Sequence, residues 1–173
     1  MSLQARAVQP RVTDMPITST DLARRGWLIG AGAAALAGAL PLSSLAHGTA
    51  PHVEMWSSEG CECCDQWAKH LQNYLFVVTQ RKVEEVAAVR KQLGMPEKYA
   101  GCHVARAGRY VIDGHVPALD ILTLMREQPQ AIGLAVPDMP TGSPGMERGG
   151  RKDPYQVLLI GLDASATVFK SYS

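Results

Sequence analysis

The sequence predicts a single α/β domain that follows an N-terminal export segment. Along residues 52–96, stretches with the alternating pattern of strands and stretches with the apolar periodicity of helices follow one another, strand-helix-strand-helix. The chain has 173 residues, of which 46% are hydrophobic and 19% charged, which suits one soluble domain. Its formal net charge of +1 gives no reason to expect binding to nucleic acid or to an acidic membrane surface.

Residues 1–46 are predicted to be an export signal. Arg24 and Arg25 precede an uncharged apolar run, residues 27–42, and Ser44-Leu45-Ala46 offers small residues to a signal peptidase. We expect the twin-arginine route, with the general secretory route and an uncleaved anchor as alternatives. The apolar run is short for a membrane span of about 20 residues. Cleavage would leave residues 47–173 in the oxidising periplasm, with no membrane span.

The first half of the domain is predicted to contain two strand–helix pairs. Strand His52–Trp56 alternates in polarity, and the helix after it runs from the cysteines near residue 61 to about Leu75. The helical periodicity places His70 on the side that faces solvent. A short strand at residues 76–78 and a helix over about residues 83–93 complete the pairs, and Gly94 and Pro96 end the second helix.

The second half is predicted to contain a hairpin, a helix, a long loop and two terminal strands. Residues 102–105 and 109–112 form the hairpin, closed by Ala107-Gly108. Pro117 lies in the first turn of the helix, and Pro129 ends it. Residues 130–154 are predicted to be a loop with a function, because structureless loops of this length are uncommon in compact domains. The terminal strands are predicted at residues 155–160 and 167–169.

Three of the four cysteines lie within four consecutive positions, as Cys61, Cys63 and Cys64, and the fourth is Cys102. Since a helical pattern follows the first three, we expect them at a helix N-terminus, where free N–H groups and the helix dipole favour thiolates. A disulfide between the adjacent Cys63 and Cys64 would be strained. The cluster therefore indicates thiols that share a metal more than thiols that form bridges.

Thiolates select soft ions such as Cu(I), zinc or the iron of iron–sulfur clusters. A closed zinc site usually takes two Cys-x2-Cys pairs, so the three-plus-one spacing favours a multinuclear Cu(I) site over zinc. His103, Met139 and Met146 are candidates for additional ligands. His115 is a further candidate ligand, although fixing a turn or hydrogen bonding to a ligand suits its position better than binding the metal.

Three alternatives stay open at this point. Two disulfides could form, and Cys61–Cys64 together with Cys63–Cys102 is the least strained pairing. The Cys61-x-x-Cys64 pair could act as the dithiol of a thiol–disulfide oxidoreductase. The four cysteines could also hold one zinc ion in a small structural module.

Four motifs in the same order resemble the CopG-type family of exported bacterial proteins associated with copper resistance. They are Cys61-x-Cys63-Cys64, Cys102-His103, Gly114-His115-Val116-Pro117, and the Pro/Gly-rich residues 133–147, which include Met139 and Met146. One position departs from the pattern, because Gly101 stands where members often have a small hydroxylic residue.

The resemblance implies a variant thioredoxin-like fold in the periplasm and a multinuclear copper cluster held by Cys61, Cys63, Cys64 and Cys102. It also implies interconversion of Cu(I) and Cu(II), hence a copper oxidoreductase, with a passive copper carrier or store as the alternative. Copper ions and other periplasmic copper-handling proteins are the partners that it implies.

Overall fold

The computed structural model describes residues 49–173, so the export signal predicted at residues 1–46 lies outside the described residues. This part of the chain forms one seven-stranded sheet with three α-helices. None of its helices combines the length and the apolar character that crossing a membrane requires. The elements are β1 (His52–Ser57), α1 (Glu62–Asn73), β2 (Val77–Lys82), α2 (Val86–Gln92), a 3-10 helix (Glu97–Tyr99), β3 (His103–Ala107), β4 (Tyr110–Asp113), α3 (Ala118–Glu127), β5 (Ala131–Ala135), β6 (Tyr155–Gly161) and β7 (Ala166–Tyr172).

The predicted α/β class is confirmed as a mixed sheet in the order β2-β1-β3-β4-β5-β6-β7. The two strand–helix–strand units give parallel pairs: α1 connects β1 to β2, and α3 connects β4 to β5. The remaining neighbours are antiparallel, including the β3–β4 hairpin. Ser57 at the end of β1 pairs with His103 at the start of β3, which brings residue 102 beside the turn between β1 and α1.

Helices cover both faces of the sheet. The larger core packs α1 and α3 on one face, with Trp67, Leu71, Ile121 and Leu124 fully buried. The smaller core contains buried side chains of the opposite face, such as Val104 and Ile160, packed with apolar residues of α2. Because β4 lies between the two layers, all four of its residues are buried.

The prediction of an uninterrupted loop over residues 130–154 was wrong, because β5 occupies Ala131–Ala135. A Cβ at Gly133 would overlap the carbonyl oxygen of Val111, so the close approach of β5 to β4 requires glycine. A strand of small residues carries little of the alternation that marks strands in a sequence. The hairpin turn also lies one residue later than predicted, at residues 108–109, and Pro117 is the N-cap of α3.

The prediction that His70 faces solvent was also wrong. Its ring is partly buried, and its Nε2 accepts a hydrogen bond of 3.0 Å from the backbone N–H of Ala118. This N–H belongs to the first turn of α3, whose N-cap Pro117 makes no side-chain cap. His70 of α1 therefore caps α3, and burial lowers its pKa.

Lowering the pH from 7 to 5 should destabilise the protein in part through His70. The unfolded chain binds a proton near the ordinary histidine pKa, whereas the folded chain resists protonation, so stability is lost as the pH falls. This residue contributes up to about 1.4 kcal/mol per pH unit. His70→Gln keeps an oxygen acceptor for Ala118 but cannot titrate, so urea unfolding should show a smaller pH slope than in the wild type. The buried His103 and His115 contribute equally to both proteins, and identical slopes would contradict this role of His70.

Candidate metal centre

The sulfur atoms of all four cysteines lie within 4.8 Å of one another. Cys61 is the N-cap of α1, Cys63 and Cys64 lie in its first turn, and Cys102 directly precedes β3. The Sγ atom of Cys102 lies 3.8 Å from that of Cys63 and 3.6 Å from that of Cys64, and the Sγ atoms of Cys61 and Cys63 are 3.5 Å apart. The pairing of β1 with β3 thus joins the distant thiol to the sequence cluster.

Two of the four sulfurs form a disulfide, Cys61–Cys64, with 5.4 Å between their Cα atoms. Cys63 and Cys102 are free thiols. The alternative with two disulfides required Cys61–Cys64 and Cys63–Cys102. The structure contains the Cys61–Cys64 bond, whereas Cys63 and Cys102 are close in space but not bonded. Cys64 is fully buried and the other three cysteines are partly buried. A site with four thiolates requires reduction of this bond.

The ring of His115 is fixed by a backbone carbonyl. Its Nδ1 donates a hydrogen bond of 2.7 Å to the oxygen of Pro144, so in the neutral ring the lone pair lies on Nε2. That Nε2 lies 3.0 Å from the Sγ atom of Cys102. Burial lowers the pKa of His115, which keeps the ring neutral. His115 can therefore accept the thiol proton of Cys102 or offer a lone pair to a cation in the same place.

His103 lies deeper in the same group. The centroid of its ring lies 4.3 Å from the ring centroid of Trp67 and 5.0 Å from that of His115. Its Nδ1 is 3.4 Å from the Sγ atom of Cys102. Full burial lowers the pKa of His103 well below its ordinary value, so it is neutral. Its Nε2 is buried and has no hydrogen-bond partner within residues 49–173. Cys102, His103 and His115 thus form a second group of mutually close sulfur and nitrogen atoms.

Cys102 differs from the reactive thiols expected at a helix N-terminus, because it precedes a strand. Burial and the neighbouring Cys63 raise its pKa to about 12. At neutral pH the thiol keeps its proton and donates a hydrogen bond to Nε2 of His115. A soft cation that binds Cys102 must therefore displace this proton.

A buried ion pair holds the chain next to Cys102. Arg90 of α2 donates from Nε to Oδ2 of Asp113 at 2.7 Å and from Nη2 to the carbonyl of Gly101 at 2.8 Å. The N–H of Gly101 donates to Oδ1 of Asp113 at 2.6 Å. Both backbone polar groups of Gly101 are thus held by one ion pair, which positions Cys102. Sequence reasoning missed this pair, although an arginine among the apolar positions of α2 was a signal for it.

The departure at Gly101 has a steric cause. A Cβ at this position would lie 2.5 Å from the Cα of Gly114 and 3.2 Å from the carbonyl oxygen of Val136. The segment before Cys102 therefore packs directly on the backbone that leads to His115. A hydroxylic side chain at residue 101 has no room unless one of these segments moves.

The Pro/Gly-rich loop contacts α1 through its backbone. A Cβ at Gly145 would lie 2.8 Å from the carbonyl oxygen of Cys63, so only glycine permits this approach. Met146, the next residue, is 7% exposed. Met139 is 50% exposed and lines an open groove with residues such as Tyr155 and Tyr172, a lining that includes none of the four cysteines.

Comparison with known proteins identifies relatives of this chain. Residues 99–146 match the model of a family described as "Protein of unknown function, DUF411". None of the curated proteins compared with the chain matches it. Two solved structures of "Copper resistance protein copG" match with 72% of this chain covered. The structure called form 2 is 39% identical in sequence, has a TM-score of 0.69, and is covered over 100% of its own chain. The structure called form 1 is 40% identical, has a TM-score of 0.68, and is covered over 98% of its chain. With this identity over the full length of a relative, the chain belongs to the CopG family of copper resistance proteins.

Proposed function

We propose that this protein binds copper ions at its four cysteines as a multinuclear Cu(I) centre, and that it interconverts Cu(I) and Cu(II) in copper tolerance. The observation that carries the proposal is the meeting of four sulfur atoms within 4.8 Å. Thiolates prefer soft cations and can bridge two of them, so a compact group of four suits several Cu(I) ions. The solved relatives of this chain are named copper resistance proteins.

The residues around the sulfurs fit the same cargo. In the reduced protein, Cys61, Cys63, Cys64 and Cys102 would supply thiolates, and copper would take the place of the Cys102 proton. The Nε2 atom of His115 already faces that sulfur, at 3.0 Å. His103 would add a second imidazole from the buried side.

The two methionines differ in how well their positions support a role. Met146 is buried and follows Gly145, whose backbone touches the first turn of α1. This placement supports a thioether ligand, or a loop that closes over the copper. Met139 is half-exposed, which suits a ligand of a buried copper centre less well than the position of Met146 does.

We further propose that the described domain is a variant thioredoxin-like fold and that residues 1–46 export it to the periplasm by the twin-arginine route. The β1–α1–β2 unit with Cys61-x-x-Cys64 at the strand–helix junction supports the fold. A disulfide beside two free thiols is consistent with an oxidising compartment.

One observation favours a second function. The Cys61–Cys64 disulfide is the oxidised form expected of a thiol–disulfide oxidoreductase. Such an enzyme would need only these two cysteines, and Cys63 and Cys102 would be incidental. A copper carrier or store that never changes the oxidation state of the metal is the remaining alternative.

Native mass spectrometry of the protein purified from the periplasm tests these functions. We expect several copper ions per chain after reduction and anaerobic addition of Cu(I), and none after the thiols are alkylated. One bound zinc ion would instead support a structural module. A protein that binds no metal but exchanges disulfides with a dithiol substrate would support the oxidoreductase.

A further inference from the structure

We propose that Cys61 and Cys64 are the electron donors that reduce two incoming Cu(II) ions to Cu(I), and that Cys63 and Cys102 are the sulfur ligands that retain Cu(I). Because copper must reach the four cysteines for this step, the step depends on the proposed function. It adds the direction of the redox reaction, the source of the electrons and the residues that keep the product.

The structure separates the four thiols into a bonded pair and an unbonded pair. The Cα atoms of Cys61 and Cys64 lie 5.4 Å apart, within the range of about 4.4–6.8 Å that a disulfide tolerates. The Sγ atom of Cys102 lies 3.6 Å from that of Cys64 and 3.8 Å from that of Cys63, yet Cys102 stays a thiol. Since the fold accommodates the Cys61–Cys64 bond, these two sulfurs can be oxidised without displacing Cys102.

A donor set for Cu(I) survives this oxidation. Cys63 and Cys102 keep their thiols, with Sγ atoms 3.8 Å apart. The Nε2 atom of His115 lies 3.0 Å and the Nδ1 atom of His103 lies 3.4 Å from the Sγ of Cys102. Two sulfurs and two neutral imidazoles favour Cu(I) over harder cations. Disulfide formation thus removes two of the four sulfurs as thiolate ligands. The other two sulfurs and the two imidazoles remain available to bind Cu(I).

Charge and access favour Cys61 as the first thiol that Cu(II) meets. Cys61 is partly exposed, whereas Cys64 is fully buried behind it. Glu59 and Glu62 flank it on the exposed surface, and their carboxylates attract a divalent cation. Asp65, the other acidic residue nearby, already pairs with Lys82 at 2.9 Å.

The step balances without another reactant. Two Cu(II) ions each take one electron and become Cu(I). The thiols of Cys61 and Cys64 lose two protons to water and form one S–S bond. A second cycle requires a dithiol, which breaks the Cys61–Cys64 bond by exchange and is itself oxidised.

The test is to mix the fully reduced protein anaerobically with a Cu(II) salt. Cu(I) is measured with a chelator specific for that state, and the disulfide is located by peptide mass mapping. We expect about two Cu(I) ions per chain and a single bond between Cys61 and Cys64, as the two-electron balance requires. A bond between another pair, or Cu(I) formation without a disulfide, would overturn the proposal.

Two variants make the result specific. Cys61→Ser should reduce Cu(II) at least tenfold more slowly, and because this residue is partly exposed the variant should fold. Cys61→Ser/Cys64→Ser should lose the reaction while keeping part of its capacity for Cu(I) added as such. If either variant reduced Cu(II) at the wild-type rate, Cys61 and Cys64 would not be the electron donors. A wild type that takes up added Cu(I) but reduces no Cu(II) would refute this step alone, whereas failure to take up Cu(I) would refute the proposed function.

Discussion

Replacing Asp113 by alanine is expected to lower the free energy of unfolding by about 3–5 kcal/mol, because it leaves a buried charge without its partner. Arg90 is 4% exposed and Asp113 is fully buried, and their hydrogen bond is 2.7 Å long. The alanine also removes the acceptor for the N–H of Gly101. Urea unfolding of the wild type and the variant measures the loss. We also expect the variant to bind less copper, because the segment before Cys102 is released.

Glu97→Gln is the matched control. Glu97 is the other carboxylate that contacts Arg90, at 3.3 Å, but its side chain is 68% exposed. A surface partner of this kind contributes little, so this change should stay within about 0.5 kcal/mol of the wild type. If the two variants were equally stable, the buried pair would not hold this part of the fold as inferred from its geometry.

The elements that could be predicted are those in which polar and apolar residues alternate at the period of a strand or a helix. Strand β1 alternates in polarity, and the apolar residues of α1 recur at helical spacing, so both were identified near their observed bounds. Strand β5 could not be identified in this way. It depends on Gly133, which is required only because Val111 of the neighbouring strand passes so close. Tertiary contacts of this kind leave no period in the sequence.

The convergence of the four cysteines could be predicted from the sequence, but most of the contacts around them could not. Soft-ligand chemistry selected the four cysteines, and the structure brings them together. The roles of His70 and Arg90 depend on elements far away in sequence, α3 and β4, whose packing against their helices no local pattern encodes. The disulfide was one of several pairings that spacing allowed. The Cys61–Cys64 bond belongs to the pairing identified as least strained, but spacing could not show that Cys63 and Cys102 stay thiols.

Replacing Cys102 by serine is expected to remove most of the bound copper. Cys102 is the residue that both candidate donor groups share, the four cysteines and the group with His103 and His115. An alcohol oxygen is a poor ligand for Cu(I), so the change removes the sulfur that connects the two groups. Copper per chain, measured by native mass spectrometry after anaerobic loading, should fall from several ions to about one or fewer.

The same variant separates metal loss from misfolding. A serine hydroxyl can still donate a hydrogen bond to Nε2 of His115, so the free energy of unfolding should change by no more than about 1 kcal/mol. Cys61 and Cys64 are untouched, so a thiol–disulfide oxidoreductase built on that pair would keep most of its activity. A folded Cys102→Ser protein that still binds as many copper ions as the wild type would show that the four sulfurs do not act as one site. A variant that loses copper but keeps both its stability and its Cys61–Cys64 bond would assign to Cys102 the role of joining two donor groups into one centre.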